Sequence, residues 1–171
     1  LTEFLRKTDP FAKTIVFCVD QEHAARMRQA LVNLNADLVQ LHPDYVVRIT
    51  SNEGDVGATH LDHFMDPETP MPIIATTSKL LTTGVDAPTC KNIALARVVN
   101  SMTEFKQIIG RGTRVDTDHD KYFFTILDYT RSAMARFADP DFDGVPLPPP
   151  GSDDKRTHAG SDAVREPQGK Y

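Results

Sequence analysis

The sequence predicts an α/β fold: three layers, with a mainly parallel sheet flanked by helices. Short β-branched apolar runs alternate with stretches of helical periodicity, the pattern of a parallel sheet rather than of an all-α or all-β chain. The segment Thr14-Ile15-Val16-Phe17-Cys18-Val19 is an almost unbroken apolar run, as a strand covered on both faces requires. The chain has 171 residues, 40% hydrophobic and 25% charged, enough for one soluble domain of ordinary size with a tail.

The elements follow in order. After the first strand, Asp20 is placed to cap a helix over 21–34, where Ala24, Met27, Leu31 and Leu34 recur at helical spacing. A second strand is predicted over 45–50. Residues 51–57 read as a polar loop, and a short helix as running over 59–65. That helix cannot continue through Met65-Asp66-Pro67-Glu68-Thr69-Pro70-Met71-Pro72, because its three prolines remove donors and restrict the preceding residues. Further strands are predicted over 73–76, 92–99 and 122–127. Between the last two, Ser101-Met102-Thr103-Glu104 is a capping box and starts a helix over 102–112. A last helix is predicted over 131–137.

Residues 139–171 differ in character. They hold six of the chain's 12 prolines, including Pro148-Pro149-Pro150, with little apolar periodicity. The division predicted is a folded domain over 1–138 and a Pro-rich, acidic linker or tail over 139–171 that buries too little to order itself. The net charge is −5, of which the tail's seven acids and four bases supply −3, leaving about −2 on the domain. Autonomous DNA-binding domains are usually basic. Either DNA is not a partner of this chain, or contact with DNA is local and most positive charge is supplied elsewhere.

No apolar run approaches the roughly 20 residues of a membrane helix, so no membrane partner is expected. Leu1-Thr2-Glu3-Phe4-Leu5 has neither an initiator Met nor a signal-peptide profile and reads as an excised piece of a longer protein. Cys18 and Cys90 sit in apolar segments far apart, as reduced core thiols of a cytoplasmic protein would. A disulfide or a metal role is the lesser reading. His60 and His63 have a spacing that suits a metal, but Asp62 and Asp66 are the only acids nearby, and surface or satisfied histidines are the expectation.

Two segments carry chemistry. In Gln107-Ile108-Ile109-Gly110-Arg111-Gly112-Thr113-Arg114, helical spacing puts Gln107, Arg111 and Arg114 within about 60° of one another. Phe105, Ile108 and Ile109 fall opposite, as an anchor. Gly110 removes bulk beside Arg111, and two convergent guanidiniums suit a phosphoryl group in transfer. An exposed basic helix end, complementing the helix dipole, is the plainer alternative.

The second segment is Thr76-Thr77-Ser78-Lys79-Leu80-Leu81-Thr82-Thr83-Gly84-Val85-Asp86-Ala87-Pro88. Its hydroxyls and acid follow a strand's carboxyl end, where open α/β sheets bind ligands. Thr82 and Thr83 suit phosphate oxygens, and Asp86 suits a ribose hydroxyl. An ordinary strand–helix loop, with Asp86 capping and Gly84 turning, would read the same way.

Together, Gly84-x-Asp86 and Gln107-x-x-Gly110-Arg111-x-x-Arg114 resemble motifs V and VI of superfamily-2 helicases, with 14–19 where motif IV is expected. The strings 81–91 and 100–114, and Phe137-Ala138-Asp139-Pro140-Asp141-Phe142-Asp143-Gly144 beyond them, resemble the restriction (motor) subunit of type I restriction–modification enzymes. The resemblance spans most of residues 10–145. It implies a RecA-like second helicase lobe, part of an ATP-dependent DNA translocase and endonuclease.

By position, it makes Arg111 and Arg114 arginine fingers on the γ-phosphate. Gln107, Gly110, Gly84 and Asp86 would line the nucleotide, and Thr82, Thr83, Ser51 and Asn52 would contact the DNA backbone. The implied cofactor is ATP, with Mg2+ held mainly by a first lobe. The implied partners are double-stranded DNA, the N-terminal RecA-like lobe and nuclease domain of the same subunit, and the methylation and specificity subunits.

The sequence departs from the pattern in two ways. Thr113 precedes Arg114 where Gly is common. The chain also has no Gly-rich Lys-Ser/Thr loop, no Asp-Glu-x-His/Asp motif and no nuclease core, since Asp66-Pro67-Glu68 reads as a proline turn. The fragment alone is therefore expected to lack ATPase and nuclease activity. Another superfamily-2 motor and a non-catalytic RecA-like docking module are the rival readings.

Overall fold

The structure is a computed structural model that describes residues 1–78, 87–110 and 121–133. The described elements are α1 (Thr2–Lys7), β1 (Thr14–Phe17), α2 (Gln21–Leu34), α3 (Ala36–Leu41), β2 (Val46–Arg48), a 3-10 turn (Ser51–Glu53), α4 (Gly54–Met65), β3 (Ile74–Thr77), β4 (Asn92–Leu95), α5 (Met102–Ile109) and β5 (Thr125–Asp128). Five strands form one sheet in the order β2-β3-β1-β4-β5. Every pairing is parallel, and Thr14 of β1 stands between Ile74 of β3 and Asn92 of β4.

The alternation of side chains along the strands builds two cores. Ile15, Phe17, Val47, Ala75, Ile93 and Leu95 point to one face and pack with Phe64 of α4 and with Phe105, Ile108 and Ile109 of α5. Val16, Val46, Ile74 and Ala94 point to the other, with Leu5 of α1 and with Ala24 and Leu31 of α2. The three central strands β1, β3 and β4 are buried throughout, as the continuous apolar run at 14–17 requires. The three-layer, parallel architecture is the one predicted.

Local chemistry explains the element ends. Asp20 caps α2 by accepting from the His23 amide at 2.7 Å. At the other end of the domain, Lys13 closes α4. Its Nζ donates to the carbonyls of His63 (3.3 Å), Phe64 (3.1 Å) and Asp66 (3.0 Å), oxygens that a helix end leaves without intrahelical partners. Asp66 then accepts from the Glu68 amide and from the Thr69 hydroxyl, so 66–69 is the turn its prolines suggest.

Several boundaries differ from expectation. Residues 51–57 are not an open loop. A 3-10 turn leads into α4, which begins at Gly54, five residues before the predicted start. The strand predicted over 92–99 pairs only at Asn92–Leu95, because the chain then turns toward α5. The last strand starts at Thr125, not at 122. No helix begins at Arg131, whose φ of 59° is left-handed. Helices α1 and α3 carry no sequence expectation at all.

Both cysteines are buried and free, and burial pushes each thiol's pKa from 9.0 up to about 11. Among the described residues, no helix is long and apolar enough to cross a membrane. Residues 134–171, and with them the predicted tail, lie outside the described residues.

Candidate functional site

The outgoing chains part at the carboxyl edge of the sheet. Between the adjacent strands β1 and β4, α2 leaves toward one face and α5 toward the other. Such a parting opens a crevice at the strand ends, the usual binding place of open parallel sheets. Val19 and Val98, just past these two strands, are both 56% exposed.

The loop after β1 is tied to the loop after β2 by Gln21, whose Nε2 donates to Ser51 Oγ at 3.1 Å. Ser51 and Asn52 are exposed on the 3-10 turn, so both side chains face solvent at this edge. Two buried hydroxyls, Thr50 Oγ1 past β2 and Thr77 Oγ1 at the end of β3, have no hydrogen-bond partner among the described residues.

Helix α5 is built as its sequence suggests. Ser101 Oγ accepts from the Glu104 amide at 3.1 Å. Glu104 reaches back to the Asn100 amide at 3.2 Å, one residue further than the ideal capping box. Its carboxylate also pairs with Arg97. Phe105, Ile108 and Ile109 are buried at 0%, 0% and 4% exposure, while Gln107 is exposed. Gly110 ends the helix in a right-handed conformation, its amide donating to the Lys106 carbonyl at 3.0 Å.

The chain between β4 and α5 is fastened to the end of β5. Thr130 Oγ1 donates to the Arg97 carbonyl at 3.2 Å, and the Val99 amide donates to Ser132 Oγ at 2.9 Å. The Asp128 carboxylate holds this second side by accepting from the amides of Thr130 (3.0 Å) and Ala133 (2.8 Å).

Of the predicted site residues, Ser51, Asn52, Gln107 and Gly110 are described. Thr82, Thr83, Gly84, Asp86, Arg111 and Arg114 lie outside the described residues. The structure brings Ser51 to Gln21, a link the sequence reading missed because nothing in it relates positions thirty residues apart. Arg97 and Thr50 carry no motif and were not among the expected residues, whereas Thr77 lies in the hydroxyl-rich segment that was. The one available signal was that charge and hydroxyls end otherwise apolar strands. His60 lies 3.7 Å from Asp44, and His63 is exposed. Among the described residues no group of three or more His, Cys, Asp or Glu side chains could hold a metal ion.

Solved structures place the fold. Domain 2 of the DEAD-box helicase Mss116p matches with a TM-score of 0.61 at 13% identity, over 84% of this chain and 52% of that one. The Mycobacterium smegmatis helicase Lhr matches with 0.58 at 16% identity, over 74% of this chain and 16% of that one. The chain thus has the RecA-like fold of these domains.

Closer similarities narrow the class. The endonuclease subunit of the Escherichia coli type I restriction enzyme EcoAI is 53% identical over 146 residues, 85% of this chain and 18% of that protein. The corresponding EcoKI subunit from E. coli K12 is 35% identical over 133 residues, 75% of this chain and 11% of that protein. A fragment structure assigned to the HsdR subunit of a type I restriction enzyme from Vibrio vulnificus YJ016 is 67% identical, with a TM-score of 0.81 over 85% of this chain and 28% of that one. No family model matches. The chain is homologous to a segment of type I restriction endonuclease (HsdR) subunits and spans under a fifth of the length of the two curated relatives.

Proposed function

We propose that this chain is the second motor lobe of an ATP-dependent DNA translocase within a cytoplasmic type I restriction enzyme. Residues 1–138 form the lobe and 139–171 an acidic linker. The observation that carries the reading is α5. A capped, core-anchored helix with Gln107 on its exposed face runs in sequence directly into Gly110-Arg111-Gly112-Thr113-Arg114.

In this reading Arg111 and Arg114 act as arginine fingers. They stabilise the charge that develops on the γ-phosphate of an ATP gripped mainly by another lobe. Such groups contribute about 10³–10⁵ in turnover. Gln107 helps order the nucleotide site, and Asp86 with Gly84 lies near the ribose and couples it to DNA. Thr82, Thr83, Ser51 and Asn52 hold the DNA backbone, a contact that positions without reading sequence.

The chemistry of the described groups fits an anionic ligand: the hydroxyl of Ser51 and the amide of Asn52 are exposed along the carboxyl edge. ATP, when bound, supplies the phosphoryl group and the free energy of its hydrolysis. Mg2+ falls to the other lobe. The wider partners are that first lobe and a nuclease domain on the same polypeptide, with methylation and specificity subunits completing the enzyme.

The test is DNA-stimulated ATP hydrolysis by the complete subunit with its partners, comparing wild type with Arg111→Ala. Turnover should fall by about 10³-fold or more while nucleotide still binds. Unchanged turnover would mean that Arg111 is structural or faces DNA, and the assignment of the catalytic face would be wrong.

A further inference from the structure

We infer that the Arg97–Glu104 ion pair is the positioning device for α5, fixing where the helix ends at Gly110, the residue before Arg111 in the sequence. The inference rests on the proposed role of Arg111. The pair itself is assigned on geometry alone.

Phe105, Ile108 and Ile109 hold α5 to the sheet, and the polar contacts of its first turn add directional restraints to that packing. Direction comes from its first turn. There Glu104 binds both the Arg97 guanidinium and the Asn100 amide, so one carboxylate joins the helix to the chain leaving β4. Arg97 is held in turn from the side of β5 by Thr130 Oγ1 on its carbonyl, and Ser132 Oγ takes the Val99 amide two residues on. The start of α5 is therefore referenced to the ends of two strands. Gln107 follows Glu104 by one helical turn, and Arg111 lies seven residues beyond Glu104 in the sequence.

Stability does not account for Arg97. Its side chain is only 11% exposed, Glu104's is 29% exposed, and Arg97 Nε is buried without a partner among the described residues. Desolvating an ion pair costs roughly what the attraction returns, and a cation beside the first turn of a helix opposes the helix dipole. What such a pair supplies is a defined geometry. A finger displaced by about 1 Å can cost about 100-fold in rate.

The experiment uses the complete subunit and reads kcat, KM for ATP, direct nucleotide affinity and melting midpoint together. Removing one partner would strand a buried charge, so the informative variant is the double Arg97→Met/Glu104→Gln. It deletes both charges, keeps volume and leaves a side-chain carbonyl on the helix able to accept from the Asn100 amide. We expect kcat to fall by about 10- to 100-fold, with KM, nucleotide affinity and melting midpoint close to wild type. Arg97→Lys, which keeps the charge pair, should retain most of the turnover. Wild-type kcat in the double variant would overturn the inference, as would a loss that merely follows loss of folded protein. Arg111→Ala, run alongside, separates the two readings. If it abolishes turnover and the double variant does not, only the positioning role fails. If it leaves turnover intact, both fail.

Discussion

Two thiols weaken the folded chain in alkali, alongside the phenols of Tyr45 and Tyr129, whose pKa values desolvation also raises. Burial is the main cause at both thiols. The charge of Asp20 adds to it at Cys18, and Lys121 works against it at Cys90. Each native pKa is raised from 9.0 to about 11, so each thiol's contribution to stability is complete below pH 9 and is lost as pH climbs toward 11. Within that window the unfolded chain has released protons that the native chain still holds. The slope is up to about 1.4 kcal/mol per pH unit for each thiol. Lys13 has a lowered native pKa, which favours the native state as pH rises toward 10.5 and opposes the trend. Urea midpoints should therefore fall less between pH 8 and pH 10 in Cys90→Ala than in wild type, and losing the thiolate charge that holds up the Lys13 pKa adds to that difference in the same sense. Equal falls would show that Cys90 keeps an ordinary pKa in the native state.

Among the elements, α4 makes the sharpest case because a residue-level rule gives the wrong sign there. Gly to Ala inside a helix normally stabilises by about 1 kcal/mol. At Gly57 an added Cβ would come within 2.4 Å of Glu53 Cβ and 3.4 Å of the Thr50 carbonyl, and Glu53 is held by Arg48. The side chain cannot swing away without moving the turn that carries Ser51 and Asn52. We expect Gly57→Ala to destabilise by about 1–3 kcal/mol and to weaken DNA binding by the complete subunit. A raised melting midpoint would show that the turn yields freely. The same glycines explain why α4 was only half legible in the sequence. Gly54, at a φ of 55°, and Gly57 look like loop residues and hid the first turns. By contrast the buried strands, α2 behind Asp20 and α5 behind Ser101 were all readable, since each has a long apolar period or a cap. Helices α1 and α3, six residues each, are too short to show a period. At the site, motif residues were legible by type, whereas the fastenings Gln21–Ser51 and Arg97–Glu104 arise only when separate strand ends meet.

For the whole molecule, charge and coverage point the same way. A chain with net charge −5 cannot draw DNA by its overall field, and most of nonspecific DNA affinity comes from neutralising phosphates. The chain also spans 18% of its EcoAI relative, and in the proposed reading the ATP grip and most DNA-facing cations lie outside it. The isolated chain should therefore bind a duplex of about 30 base pairs more weakly than the ordinary nonspecific range of about 10⁻⁴–10⁻⁶ M at physiological salt. Its hydrolysis of ATP should stay at background with or without that duplex. Fluorescence anisotropy and phosphate release on the purified chain check both. Micromolar binding with a steep salt slope would mean that the lobe itself carries a complete phosphate-binding face despite its acidity. DNA-stimulated hydrolysis would be graver, because it would require one lobe to contain a whole ATP site, and the division of labour proposed for Arg111 and Arg114 would then be wrong.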